Sequence, residues 1–241
     1  MSLQTRTYHY DFRGHHLIPL TSANLGSPFS KADTSAVGTP TLLGIDGGGV
    51  RLLLQAQSEV QNLCLYMGDI LPFDIDEIIS VEFIAKTVAA LDTATQLAFG
   101  LASARNDTID TVAEQALFRM IGADSTTAVV VETDDGTLNN DDIATGMTLG
   151  TTWKRFKIDF TERVSTQEPP TLSTGSKTHI GFYIANDNGS LRRVASGTRF
   201  DMTNYSGGLQ LFAQIQKTAD TNIDHLDILE ATVEVKLPDF A

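Results

Sequence analysis

The chain has 241 residues, of which 41% are hydrophobic, and a formal net charge of −13 at pH 7. An all-β domain reaches this length around one core, so a single domain is the simplest organisation. An acidic surface repels phosphate backbones, and the sequence contains no Lys/Arg cluster, so direct nucleic-acid binding is not expected. The single cysteine, Cys64, excludes an intramolecular disulfide. No secretory signal or membrane-spanning segment is expected, because the N-terminus lacks a signal-type apolar segment and no run of about 18 apolar residues occurs.

Residues 1–43 show neither a helical nor a strand period, and this pattern predicts an extended N-terminal arm. The segment mixes Thr, Ser, Gly, Pro and His with more apolar side chains than a flexible tail needs. We therefore expect the arm to dock on a partner, because it buries too little apolar surface to order alone. The alternative is that some of its side chains pack on the chain's own folded domain. Six side chains are the candidate partner contacts: Tyr8, Tyr10, Phe12, Leu17, Ile18 and Phe29.

Short runs of alternating apolar and polar residues follow from residue 44 onward and predict about ten strands. In the run 153–162, Phe156, Ile158 and Phe160 alternate with charged residues, which is typical of a half-buried antiparallel strand. In the run 97–102, small residues separate the large apolar ones, which favours a strand covered on both faces. The other predicted strands lie at 50–57, 61–67, 81–86, 115–122, 127–133, 180–184, 209–216 and 226–237, with a hairpin turn at 186–189.

The last run changes phase within itself. Leu226 and Ile228 share one face, whereas Ala231 and Val233 occupy the other, so a bulge is expected near Leu229 and Glu230. Helical patterns are short, and the segment 109–115 is a candidate that does not sustain three turns. The sequence therefore predicts an all-β, two-sheet antiparallel sandwich of the jelly-roll type over residues 44–241, with an up-and-down barrel as the alternative.

Clustered acids in the segment 68–77 raise the question of glycosidase chemistry, which uses two carboxylates. Retaining glucanases of this architecture carry acids at alternate positions of one strand, as Glu-x-Asp-x-Glu. Asp74 and Asp76 alternate, but Ile78 holds the next position on that face and Glu77 points the other way. A turn or strand-entry role is therefore the better interpretation for these acids and for Asp69.

The segment 133–142 is rich in oxygen ligands of the kind that Ca²⁺ prefers. Its candidate ligands are Asp134, Asp135, Asp141 and Asp142, although their spacing does not match an EF-hand loop. A solvated turn between strands is the favoured interpretation, so no metal is predicted. The segment 44–49, Gly-Ile-Asp-Gly-Gly-Gly, has the glycine content of a phosphate-binding loop but lacks the Gly-Lys-Ser/Thr that follows in such loops.

No catalytic set can be assembled from the remaining motifs. The five histidines show no metal-ligand spacing, and a Gly-x-Ser-x-Gly nucleophile motif is absent. The sequence therefore predicts no catalytic residue, no cofactor and no enzymatic activity.

The layout as a whole resembles virion proteins of tailed bacteriophages that contain a concanavalin-like or laminin-G-like jelly-roll domain. The segments that carry this resemblance are the end of the arm, 32–41, and five later segments, 66–76, 97–102, 152–159, 179–184 and 219–228. In such folds the Trp-Lys-x-Phe-x-Ile strand and the Phe-Tyr-Ile strand are neighbours, and the Asp-rich last strand returns beside the first.

The resemblance implies a non-enzymatic structural protein that decorates or stabilises a capsid. Its implied partner is the major capsid protein lattice, its implied state a homo-oligomer, with a trimer favoured, and its implied location the virion surface after assembly in the host cytoplasm. Removing residues 1–40 is then expected to leave a folded sandwich that no longer associates with particles. The alternative function is a carbohydrate-binding, lectin-like or receptor-binding module of a virion.

Overall fold

A computed structural model describes residues 4–14, 16–19, 27–161, 177–185 and 189–237. Within these residues the chain forms two antiparallel sheets of eight strands each, packed face to face. The predicted two-sheet sandwich is therefore confirmed. The predicted hairpin turn at 186–189 lies mostly outside the described residues. In the described part of the chain, no helix is long and apolar enough to cross a membrane.

Sheet A contains strands from both ends of the chain. Its spatial order is β14 (Leu191–Val194), β13 (Gly181–Ala185), β12 (Lys154–Asp159), β7 (Ile78–Thr87), β16 (His225–Lys236), β4 (Val50–Leu53) and β3 (Thr41–Gly44). A further strand, β1 (Thr5–Asp11), pairs with the second half of β16. The Trp-Lys-x-Phe-x-Ile and Phe-Tyr-Ile segments are adjacent strands, as the resemblance implied, because Phe156 pairs with Ile184.

Sheet B has a comparable order built around long hairpins. It runs β11 (Asn139–Thr148), β10 (Ala128–Asp135), β9 (Glu114–Ile121), β8 (Thr95–Ala102), β15 (Gly208–Asp220), β5 (Glu59–Tyr66) and β2 (Ser30–Thr34). The short strand β6 (Phe73–Asp74) pairs with the start of β15. The two short 3-10 turns in the described residues are Phe12–Gly14 and Ile109–Thr111.

The core lies between the inner faces of the two sheets and is rich in aromatic rings. The ring of Phe99 is 4.9 Å from that of Phe156 and 5.6 Å from those of Phe83 and Phe118, measured between centroids. Such edge-to-face and offset contacts stabilise a core beyond the area they bury. The alternating residues of β7 and β12 point inward, as their pattern predicts.

The predicted phase change in the last strand is also observed. The pairing of β16 with β7 shifts register between Ile228 and Glu230, so Ala231 and Val233 remain in the core beyond the bulge. A one-residue insertion on one strand is what moves the apolar set to the other phase without exposing it.

The N-terminal segment differs from the expected projecting arm, because most of its described residues belong to the sandwich. Residues 5–11 pair with β16, residues 30–34 with β5 and residues 41–44 with β4, so no structural boundary falls at residues 43 and 44. Single-sequence periodicity misses these strands because each is short or lies at a sheet edge, where only one row of side chains needs to be apolar.

A strap, residues 103–113, covers part of the outer face of sheet B. Ile109 and Val112 insert their side chains into a small apolar cluster with Cys64, Leu117 and Phe212. The predicted both-sided burial of the run 97–102 is confirmed, since Ala98 and Ala102 lie beneath this strap. The strap closes the centre of that face to solvent.

Candidate functional site

The six predicted partner contacts of the N-terminal segment lie against the chain's own core. Phe12, Ile18 and Phe29 are buried, and Tyr8, Tyr10 and Leu17 are half-buried beside them. The rings of Phe12 and Tyr10 each lie 5.2 Å from that of Phe29. In this conformation the three buried side chains offer no surface to a partner. They pack on the chain's own sandwich, which is the alternative that the sequence left open.

The acids of the segment 68–77 stabilise turns, as their broken alternation indicates. Asp74 accepts a hydrogen bond from the backbone N–H of Asp76 at 3.0 Å. Asp69 accepts one from the Gln210 side chain at 2.8 Å and has a positive φ of 57°. Asp69 and Asp74 thus hold the connection between β5 and β7.

The four candidate calcium ligands separate into two pairs. Asp135 accepts backbone hydrogen bonds from Thr137, Leu138 and Asn204, and Asp134 accepts one from Gly136. This first pair therefore holds the turn between β10 and β11. Asp141 and Asp142 belong to β11 instead, which begins at residue 139 and is a strand that the sequence did not predict.

An arginine cluster on the outer face of sheet B gathers the second pair of acids. Arg119 is 1% exposed and pairs with Glu132 on β10 and with Asp110 of the strap. Its Nη1 atom also lies 3.2 Å from a carboxylate oxygen of Asp142 and 3.6 Å from one of Asp141. Burial raises the pKa of Glu132 to about 7, and the Arg119 guanidinium opposes that rise.

The arginine cluster does not fit a metal ion. Carboxylate oxygens of Glu132, Asp141 and Asp142 approach one another within 4.8 Å, a spacing that a cation would accept. The guanidinium of Arg119 already lies among these oxygens, however, and it is the charge that a bound cation would have to displace or tolerate. The cluster is therefore a charge-paired structural element at the end of the strap.

The arginine cluster does not fit hydrolytic catalysis either. A carboxyl with a pKa near neutrality is a suitable general acid, but it must reach the substrate. Glu132 is 2% exposed, and its two oxygens accept hydrogen bonds from Gln115 and Arg119. The carboxyl is thus closed to substrate in this conformation.

The outer face of sheet A carries a row of side chains across five neighbouring chain segments. Leu43 on β3 pairs with Arg51 on β4, Arg51 with Asp227 on β16, and Asp227 with Lys86 on β7. Trp153 directly precedes β12, and its ring lies under the Lys86 ammonium, 4.5 Å from nitrogen to centroid. Registered strands therefore bring an indole, two cations and a carboxylate into one line.

Asp227 organises the basic groups of this row. Its carboxylate is fully buried and accepts hydrogen bonds from Arg51 Nε at 2.7 Å and Arg51 Nη2 at 2.9 Å. The Lys86 ammonium and the His225 ring each lie 3.8 Å from the same carboxylate. Burial lowers the pKa of His225, so the ring is neutral at pH 7 and Lys86 is the second cation on a single acid.

An open cleft of about 390 Å³, here called the sheet A cleft, lies beside this row. Its floor is formed by Arg51 and Lys86, and its wall by the β3–β4 hairpin with Asp46 exposed near the tip. The three glycines at 47–49 have φ values of 84°, 95° and 115°, which only glycine adopts readily. The glycine-rich motif therefore forms a tight hairpin, and Asp46 next to it lines the same cleft as Arg51 and Lys86.

A second open cleft of about 340 Å³ lies where the β7–β8, β9–β10 and β11–β12 connections meet. Its lining includes the hydroxyls of Thr127, Thr151 and Thr152 and the stem of Lys154. Neither this cleft nor the sheet A cleft has an aromatic side chain among its lining residues. The sheet A cleft differs because Lys86, which lines it, contacts the Trp153 ring.

Sequence reasoning missed most of the sheet A cleft. Arg51, Lys86 and Asp227 lie far apart in the chain and meet only through strand register. The available signals were the glycine run at 47–49 and Trp153, which begins the alternating run 153–162. The structure leaves Trp153 half-buried, with its ring against Lys86. No single-sequence pattern specifies which strands are neighbours, so the row could not be assembled in advance.

Comparisons with known proteins define the fold more sharply than the function. No protein-family model matches the sequence, and no curated protein matches it. A protein of unknown function from Shewanella oneidensis MR-1 superposes with a TM-score of 0.59 at 16% identity, over 100% of this chain and 91% of that one. Peanut lectin superposes with a TM-score of 0.58 at 11% identity, over 98% and 100%. The Crh5 transglycosylase gives 0.53 at 15% identity, over 97% and 85%.

These likenesses identify the class of fold. The chain is a concanavalin-like or legume-lectin-like β-sandwich, as the sequence resemblance implied. Identities of 11–16% show the fold alone, and the solved structures with this fold include both a lectin and a carbohydrate-active enzyme. None of these likenesses supports a virion or capsid role.

Proposed function

We propose that this chain is a non-catalytic glycan-binding sandwich and that the sheet A cleft is its binding site. This is the alternative that the sequence left open, now preferred to a capsid-decorating role. The observation that carries it is the convergence of Asp46, Arg51 and Lys86 in an open cleft beside the half-buried indole of Trp153.

The chemistry of these groups suits a saccharide. Sugar hydroxyls both donate and accept, so they bond to carboxylates, guanidinium groups and ammonium groups at once. An indole offers an apolar face on which a sugar ring stacks, and a few convergent polar groups then fix its orientation. Peanut lectin, with a similar fold, supports this class of function, although its identity of 11% transfers no residue role.

Within the described residues, the carboxyls considered above do not form an acid and nucleophile pair, and this favours binding over cleavage. Among the described residues, Glu132 has the pKa of a general acid but is held by Gln115 and Arg119. Asp227, in the sheet A row, is fully buried and bonded through both oxygens to Arg51. Each of these carboxylates is engaged in an internal ion pair.

The virion role stays a prediction from the sequence resemblance. Its partner would be the capsid lattice, and its homo-oligomer, with a trimer favoured, would sit on the virion surface. Weak single-site glycan binding would gain avidity from such a repeated array, so the two roles are compatible in a receptor-binding module.

The proposal is tested by screening the purified full chain against a broad glycan panel, with undecorated capsids as a parallel arm. We expect saturable binding to at least one glycan and a loss of about ten-fold in affinity for Trp153→Ala, since stacking and its buried apolar area contribute about 1–2 kcal/mol. The affinity of Trp153→Phe, which keeps a smaller ring, should lie between that of the unsubstituted chain and that of Trp153→Ala.

Arg155→Gln is the matched control, because Arg155 is exposed on the same face of sheet A and pairs with Glu82 at 3.2 Å. Neither Arg155 nor Trp153 lines the cleft itself, but Trp153 contacts the lining residue Lys86. Equal losses for Trp153→Ala and Arg155→Gln would contradict the assignment to the cleft. Ordered binding to capsids with no glycan bound would instead favour the structural role.

A further inference from the structure

We propose that the saccharide bound in the sheet A cleft is an acidic one, carrying a carboxylate or sulfate group that Lys86 and Arg51 hold. This inference rests on the proposed function and names the class of glycan for the same site. It starts from the charges around Asp227, which are unbalanced in favour of the cations on a chain whose net charge is −13.

Arg51 and Lys86 differ in how much of each cationic group remains available to a ligand. Arg51 uses Nε and Nη2 for a two-point contact with Asp227, which fixes the plane of its guanidinium. Lys86 lies 3.8 Å from the same carboxylate, beyond hydrogen-bond distance, and its other contact is the face of the Trp153 ring. One buried carboxylate therefore faces two cations, which leaves one net positive charge on this group of three side chains.

Exposure supports the same assignment. The side chains of Arg51 and Lys86 are 30% and 24% exposed, whereas Asp227 is fully buried behind them. A ligand in the cleft thus meets the two cations first and is shielded from the carboxylate that positions them. A partly desolvated ammonium forms a stronger hydrogen bond with an anionic oxygen than with a neutral hydroxyl.

The ring of Trp153 restricts what can carry the anion. Lys86 lies over the indole, so an anionic group bonded to the ammonium is brought to the edge of an apolar face. A pyranose ring bearing a carboxylate or sulfate satisfies both features at once, whereas free phosphate or sulfate uses only the cation. The saccharide should therefore bind more tightly than the inorganic anion.

Substitution of Asp46 tests whether the ligand carries a negative charge. This exposed carboxylate lines the cleft on the hairpin opposite the cations. It repels an acidic ligand more than a neutral one, although it can accept hydrogen bonds from the hydroxyls of either. Asp46→Asn should therefore raise the preference for an acidic glycan over its neutral counterpart, by roughly two- to five-fold at low salt.

The experiment uses a panel of acidic glycans, uronate-bearing and sulfated, each paired with its methyl-ester or desulfated counterpart, titrated by calorimetry against the full chain. Inorganic phosphate and sulfate form separate arms. We expect the acidic member of at least one pair to bind about ten-fold more tightly than its neutral counterpart. Lys86→Gln should remove that preference, Asp46→Asn should increase it, and Arg155→Gln should leave it unchanged.

The outcomes separate the two proposals. If glycans bind at the cleft but the neutral member of each pair binds as well as the acidic one, the acidic class is wrong and glycan binding stands. If Asp46→Asn lowers the preference for the acidic member of a pair, the acidic class is likewise wrong. If no glycan of the broad or the paired panel binds, both proposals fail, and binding of inorganic anions alone would also overturn the saccharide assignment.

Discussion

Arg119 brings four carboxylates around one buried guanidinium, and the stability of this arrangement depends on pH. Glu132 and Asp110 pair with it directly, and Asp141 and Asp142 lie within 3.6 Å of its Nη1 atom. Burial raises the pKa of the Glu132 carboxyl to about 7; Arg119 opposes the rise, and the negative charges of Asp141 and Asp142 add to it. Folding therefore favours the protonated form of this carboxyl.

The sign of the resulting pH dependence follows from that shift. A group whose pKa is higher in the folded than in the unfolded state stabilises the fold fully below its unfolded value, 4.5, and loses that contribution as the pH rises through about 7. For Glu132 the contribution is at most roughly 3 kcal/mol between pH 5 and pH 8.

We expect Glu132→Gln to flatten this part of the stability profile, because its amide does not titrate. The measurement is the free energy of unfolding by urea at pH 5, 6, 7 and 8 for both proteins. His225, whose pKa is lowered by burial, is present in both proteins, so the difference between the two profiles isolates Glu132. Parallel profiles would show that Glu132 stays ionised in the folded chain.

At the scale of elements, strands with a clear alternation were predictable from the sequence. In β12, Phe156 and Ile158 alternate with charged residues, and both are fully buried. The bulge in β16 was predictable for the same reason, because the phase of its apolar residues changes once. These elements each bury one face and expose the other, so their alternation of apolar and polar residues shows which face is buried.

Other strands show no such alternation. β11 spans a segment whose acids read as a turn, and its side chains are exposed or half-buried along an edge. β1 and β2 join the sheets through backbone pairing with β16 and β5. A pattern of apolar residues gives no information about backbone pairing. The sheet A cleft was missed for a related cause, since it depends on which strands are neighbours rather than on any one strand.

The strap over sheet B is the element whose packing is most open to test. Ile109 is fully buried in the small cluster beneath it, and sheet side chains bond to the strap backbone, as from Asn62 to the Asp107 carbonyl at 2.6 Å. The strap also leaves buried polar atoms without hydrogen-bond partners in the described residues, among them Asn62 Oδ1, Gln115 Oε1 and Gln214 Oε1. Such atoms make its closure less favourable.

We expect Ile109→Ala to lower the free energy of unfolding by about 2–4 kcal/mol and to accelerate hydrogen exchange across the strap. Exposed Thr111→Ala, two residues away, is the control and should change stability by about 0.5 kcal/mol or less. The measurement is hydrogen–deuterium exchange with urea unfolding of the same samples. Exchange that stays as slow as in the unsubstituted protein would mean that the strap does not depend on its apolar anchor.

At the scale of the whole molecule, both ends of the described chain are built into the same sheets. The long strand β16 pairs with β1, β4 and β7, so sheet A joins residues from the first and last tenth of the sequence. The rings of Phe12 and Phe29 lie in the core that faces β15 and β16. An arrangement in which distant segments share one core unfolds as one cooperative unit.

Removal of residues 1–40 should therefore destroy the fold rather than release a soluble sandwich, which reverses the expectation from the sequence. The deletion removes β1 and β2 and empties the core positions of Phe12, Ile18 and Phe29, each of which costs about 2–5 kcal/mol when truncated to alanine. Their sum, about 6–15 kcal/mol, is as large as the typical stability of a domain, about 5–15 kcal/mol, before the lost strand pairing is counted.

The measurement for this deletion is soluble yield together with the cooperativity of thermal unfolding, followed by β-type circular dichroism. Phe12→Ala is the graded comparison: it should fold but unfold at a temperature lower by roughly 10 °C or more, because it empties one core position and keeps both strands. A truncated chain that is soluble and unfolds at the temperature of the full chain would restore the N-terminal segment to the role of a separate arm. Its six apolar side chains would then be available to a partner in solution, since a core that is complete without them holds them only weakly.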